Sequence, residues 1–146
     1  MTGDNYTRYK VTVTNGGVLR VGEYTYNGAG LGSMAVNTGY WTLNNGRLEI
    51  TKESDGTFGN GLTVAAGGGA VEVVNAGSTM SITADDTHNI QLNGALTITG
   101  AGNMITGSDN AFRGTGRLIK DGSGTLTLAN SSSFTGGVEL KGGTLI

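Results

Sequence analysis

Residues 116–146 read GRLIKDGSGTLTLANSSSFTGGVELKGGTLI, and the fold follows from how this stretch repeats one short unit. The unit is glycine, any residue, aliphatic, any residue, aliphatic: Gly124-Thr125-Leu126-Thr127-Leu128, then Gly136-Gly137-Val138-Glu139-Leu140. Successive side chains of a strand point to opposite faces, so Leu126 and Leu128 face one way and Thr125 and Thr127 the other. Each unit predicts a half-buried strand. Glycine, which lacks a Cβ and tolerates positive φ, lets the chain turn sharply into it.

The unit recurs upstream as Gly17-Val18-Leu19-Arg20-Val21, Gly46-Arg47-Leu48-Glu49-Ile50, Gly69-Ala70-Val71-Glu72-Val73 and Gly94-Ala95-Leu96-Thr97-Ile98. Looser copies sit at Gly61-Leu62-Thr63-Val64 and Ser78-Thr79-Met80-Ser81-Ile82. The first buried aliphatics define one series, Leu19, Leu48, Val71, Leu96, Leu118 and Val138, and an interleaved one, Leu62, Met80, Ile105, Leu126 and Leu145. Both advance by roughly 20 to 25 residues, a range in which self-similar sequences form solenoids. Placing both series in one coil takes at least two strand faces, each stacking on the same face of the next turn. The variable step suits a parallel β-helix of about five to six coils, in which loops of different length leave between strands.

Composition agrees. Glycine supplies 28 of 146 residues, against an ordinary share of about 7%. Proline is absent, as suits a ladder in which every strand has neighbours on both sides and every backbone N–H is needed. Charged residues make up 14%, and abundant Thr, Asn and Gly disfavour helices.

The formal net charge of −2, with the nine basic residues scattered, leaves no electrostatic footprint for nucleic acid or an anionic membrane. The absence of cysteine excludes disulfides, thiolate metal sites and a cysteine nucleophile. No apolar run approaches the roughly 18 residues of a membrane span, and Met1 to Lys10 has no signal-peptide core. No transmembrane segment is expected in this chain. Gly143-Thr144-Leu145-Ile146 stops inside a strand unit, leaving an uncovered edge of the kind natural termini avoid. Both ends read as cuts, and self-association through coil ends or faces is expected.

Residues 1–42 are less regular. Tyr6, Tyr9, Tyr24, Tyr26, Tyr40 and Trp41 place every aromatic with a polar handle in the first third, while Phe58, Phe112 and Phe134 lie later. Amphipathic rings suit glycan faces, so these six residues form the candidate binding platform; the competing reading is that they cover the start of the coil. Residues 43–115 carry the regular coils, and Asp85-Asp86-Thr87-His88-Asn89 reads as a polar loop between them.

The final stretch carries a more specific pattern: Gly116, Leu118, Lys120, Gly122 and Gly124-Thr125-Leu126-Thr127-Leu128, then Asn130, Phe134-Thr135-Gly136-Gly137 and Gly143-Thr144-Leu145. In that order these residues resemble the passenger-associated repeat of bacterial autotransporters, whose unit here spans residues 116–146. Ile119 stands where that family commonly has a polar residue, and Phe134 where a tyrosine is common. The resemblance implies an all-β, right-handed, single-stranded parallel β-helix, carried on a long secreted chain and exported through the outer membrane by a C-terminal barrel.

Sites of chemistry are scarce. His88 is the single histidine, and no Gly-x-Ser-x-Gly elbow accompanies it, so a Ser-His-Asp triad is not expected. Glu49, Glu72 and Glu139 share one outward slot of the first series, which would bring Glu49 and Glu72 about 5 Å apart on adjacent coils. That spacing suits a glycan hydrolase, although a solvated outward row explains it as well. Calcium-binding Gly-Gly-x-Gly-x-Asp runs are absent. Thr-x-Thr pairs at Thr12/Thr14, Thr97/Thr99 and Thr125/Thr127 could order water, but they skip coils and share no single face. The expectation is a non-enzymatic structural stalk without metal or cofactor, displayed on a bacterial cell surface and presenting an adhesive or effector region. The alternatives are a glycan-binding adhesin module, with a cell-surface glycan or protein as ligand, and a glycan-active β-helix enzyme.

Overall fold

In the computed structural model, residues 10–22, 25–26, 29–30, 40–58, 61–82 and 89–146 are described. Each glycine-led aliphatic run becomes a strand, and the strands follow one another around successive coils. The first coil holds β1 (Lys10–Thr14) and β2 (Val18–Val21), followed by the short pair β3 (Thr25–Tyr26) and β4 (Ala29–Gly30). The second holds β5 (Tyr40–Asn44), β6 (Gly46–Ile50) and β7 (Gly56–Phe58). The third is β8 (Leu62–Val64), β9 (Gly69–Val73) and β10 (Thr79–Ile82); the fourth is β11 (Ile90–Leu92), β12 (Leu96–Gly100) and β13 (Asn103–Thr106). The fifth is β14 (Phe112–Gly114), β15 (Leu118–Lys120) and β16 (Thr125–Thr127), and the last is β17 (Ser133–Phe134), β18 (Val138–Leu140) and β19 (Thr144–Leu145).

Stacked coils make three parallel faces: β1-β5-β8-β11-β14-β17, then β2-β6-β9-β12-β15-β18, then β7-β10-β13-β16-β19. We call these faces one, two and three. Among the described residues the antiparallel exception is β3 with β4. Face three has no described strand in the first coil, so five coils carry strands on all three faces, and from β7 to β19 the chain makes about four turns, slightly fewer than the repeat suggests.

The core is a set of columns running along the axis. On face one, Val11, Trp41, Leu62, Ile90 and Phe112 lie in register, beside Val13, Leu43, Val64 and Leu92. On face two the column is Leu19, Leu48, Val71, Ile98 and Lys120, and it ends at Leu140, which is exposed in the last coil. On face three it is Met80, Met104, Leu126 and Leu145. Phe112 meets Phe134 edge to face, ring centroids 6.1 Å apart, the favoured arrangement for aromatic quadrupoles.

Three details differ from the repeat as read in sequence. Leu62 belongs to face one, so the second series mixes two faces and the coil has three sides. Met104, not Ile105, points inward: Asn103 begins β13 on the outside, where its Oδ1 accepts the Thr125 N–H at 3.0 Å, and this fixes the phase of the next residue. Leu96 pairs with Gly69 and Ile98 with Val71, a shift of two residues that keeps every side chain on its face.

The repeat glycines act less through positive φ than through close approach. Gly122, Gly137 and Gly143 have positive φ, whereas Gly116, Gly124 and Gly136 do not. A Cβ on Gly124 would run into the carbonyl of Gly102 one coil below.

Candidate functional site

In the interior, Gly116 and Gly124 are buried, as are Leu118, Lys120 and Leu126, while Leu128, Phe134 and Leu145 are partly buried against the core. Gly122 and Gly136 are half-buried, and Gly137 and Gly143 are exposed turn residues. These repeat residues build the coil, and the outward side chains of the three faces form its surface.

Face two presents charge. Arg20, Glu49 and Glu72 lie side by side in successive coils, as expected for the two glutamates. Glu139 does not share their slot; it pairs with Ile119, in the neighbouring row of Arg47, Ala70 and Thr97. The two-residue register shift is the cause. Arg20 pairs with one oxygen of Glu49, and Arg47 reaches the other at 3.0 Å and Glu72 at 3.2 Å. A glycosidase needs one carboxyl group to hold a proton while the other stays ionised. Here two guanidinium groups neutralise both carboxylates, a geometry that suits a structural ion-pair ladder. Further along, Glu139 binds Arg117 at 3.2 Å and lies 3.8 Å from Lys141.

Face one is different. Its outward rank is Thr12, Thr42, Thr63, Gln91, Arg113 and Ser133, four hydroxyls with one amide and one cation. Thr12/Thr14, Thr97/Thr99 and Thr125/Thr127 fall on faces one, two and three respectively, so the Thr-x-Thr pairs share no face.

An open depression of about 350 Å³ runs across the corner between faces one and two, lined by Gly16, Asn45, Arg47, Gly68, Ala70 and Thr97 among others. Gly68 has φ of 74° and Asn45 of 60°, the left-handed turns that fold the chain from one face to the next. Its walls are backbone and small side chains, and its one cation, Arg47, is turned to the glutamates. Among the described residues no group of three or more His, Cys, Asp or Glu comes together.

Of the six residues of the aromatic platform, Trp41 is the one whose side chain is described. Trp41 is buried in the core, in register with Val11 and Leu62, because the period-two alternation that puts Thr42 outside puts Trp41 inside. Tyr6, Tyr9 and Tyr24 lie outside the described residues, as do Asp85, Asp86 and His88. Tyr26 and Tyr40 lie in β3 and β5, with side chains outside the description. The sequence reading missed the Arg47 bridge and the inward Lys120; a basic residue in an otherwise aliphatic column was the signal for the latter.

Fold and surface together define a β-solenoid whose specificity lies in its stacking. Residues 118–146 match the family described as Passenger-associated-transport-repeat. The chain is 35% identical over 139 residues, 93% of its length, to the "Adhesin BmaC autotransporter" of Brucella suis biovar 1 (strain 1330). It spans 3% of that protein. Both findings bear out the resemblance to autotransporter passengers read from Gly116 onward. No solved structure matches the chain.

Proposed function

We propose that this solenoid is a segment of the stalk of a bacterial surface autotransporter, a rigid spacer that supports export and holds an adhesive or effector region away from the outer membrane. One observation carries the reading: a parallel three-faced stack whose final coils match a passenger repeat. Such a stack acts by shape. Folding can propagate from coil to coil, each burying apolar surface against the last. On this reading residues 1–42, 43–115 and 116–146 are the irregular first coils, the regular coils and the repeat-bearing coils of one passenger fragment, and the chain performs no catalysis.

In the full-length parent, Leu126→Asp should abolish surface display by placing a charge in the core. Glu72→Gln together with Glu139→Gln should leave display and adhesion nearly intact. Loss of activity with normal display in the glutamate variant would overturn the stalk reading in favour of a glycan-active enzyme.

A second reading is favoured by the similarity to a protein named an adhesin and by the weakly charged face one: the stalk itself contacts a glycan or protein ligand. Thr42→Lys with Thr63→Lys on displayed protein would then reduce cell binding while display is unchanged.

A further inference from the structure

Lys120 occupies an inward slot in the column Val71, Ile98, Lys120, Leu140, and it is 1% exposed. Its stem replaces an aliphatic side chain, and its amine turns into the corner between faces two and three. There Nζ donates to the carbonyl of Asp121, to that of Gly122 at 3.0 Å and to that of Gly142, in the next coil, at 3.5 Å. The backbone of the same residue grips the same turn: the Lys120 carbonyl accepts the N–H of Lys141 at 2.8 Å and that of Gly142 at 3.3 Å. Lys120 therefore holds the Lys141–Gly142 segment at both ends, at the N–H of Lys141 and at the carbonyl of Gly142.

The seat demands glycine. Gly143 has φ of 73°, and a Cβ there would lie 2.8 Å from the Lys120 amine and against the carbonyls of Gly122 and Gly124. The corresponding corner of the second and third coils is closed by other donors, with Asn75 Nδ2 donating to the carbonyl of Lys52 at 3.1 Å and Ser78 Oγ at 2.6 Å. In the fifth coil that corner is Gly122-Ser123-Gly124, and Lys120 supplies the missing donor.

We propose that Lys120 is the residue that recognises and locks the following coil, its amine fitting one partner, a glycine turn of the kind formed by Gly142-Gly143. The amine couples docking of residues 138–146 to the fifth coil. Burial, opposed by the nearby Asp121 charge, lowers the affinity of the amine for its proton, consistent with a group held inside the stack.

Two measurements on the 146-residue chain test this. By hydrogen exchange, Lys120→Met, which keeps the stem, and Gly143→Ala should each speed exchange of the amides of residues 138–146 by about tenfold or more, as expected when a hydrogen bond to a charged group is lost. The double variant should add little to either, while residues 62–98 keep their protection. In the unsubstituted protein the Lys120 amine should resist acylation while Lys141 reacts, and Gly143→Ala should release it. Unchanged exchange at 138–146 in Lys120→Met, fully additive effects, or equal acylation of Lys120 and Lys141 would each overturn the proposal.

Discussion

Leu126 and Thr127 are adjacent in sequence and unequal in weight. Leu126 is fully buried and Thr127 faces outward, so Leu126→Ala should cost about 2 to 5 kcal/mol, whereas Thr127→Ala should stay within about 1 kcal/mol. Denaturant midpoints of the two variants give the comparison, and equal losses would mean that the strand phase is wrong. Lys120 adds a pH signature. Its folded-state pKa lies below the usual 10.5, so between the folded value and 10.5 the unfolded chain binds more protons than the folded one. Stability contributed at this site therefore rises with pH across that window. The gap between the protein and Lys120→Met, followed by denaturation at increasing alkaline pH, should shift in favour of the unsubstituted protein; a gap that shifts the other way would contradict burial of the amine.

At the scale of the strand, the glycine-aliphatic unit was legible wherever a glycine stands directly ahead of the run, as at Gly46, Gly69 and Gly94. It misled at β13, which Asn103 opens. Asn103 sets the phase of β13 through a bond to the next coil, 22 residues on, and no local pattern carries that information. Met104→Ala should accordingly cost about 2 to 5 kcal/mol and Ile105→Thr within about 1 kcal/mol, a pair that thermal melts can separate. Trp41 was misread for a related reason: composition grouped it with the tyrosines, and alternation with Thr42 places it inside. Glu49 and Glu72 were placed side by side correctly and Glu139 was not, and the bridging Arg47, two residues away along β6, was not seen. Arg47→Ala should lower stability by no more than about 1 kcal/mol, because Arg47 is itself exposed and Arg20 still pairs with the buried Glu49. The loss should shrink in high salt, and a salt-independent loss would mean that Arg47 acts through packing.

Across the entire stack, coil-on-coil packing in parallel register turns sequence distance into axial distance. The chain has no cysteine, so paired cysteines on the outward rank of face one can carry spin labels without background. Thr12, Thr42 and Ser133 lie in one column, with Ser133 five strands from Thr12 and four from Thr42. With strands about 4.8 Å apart, the label pairs 12/133 and 42/133 should be separated by roughly 24 Å and 19 Å, apart from the reach of the labels. Dipolar electron resonance measures both. Separations that grow by one strand spacing per coil are the result the solenoid predicts; separations that do not order by coil number would contradict it.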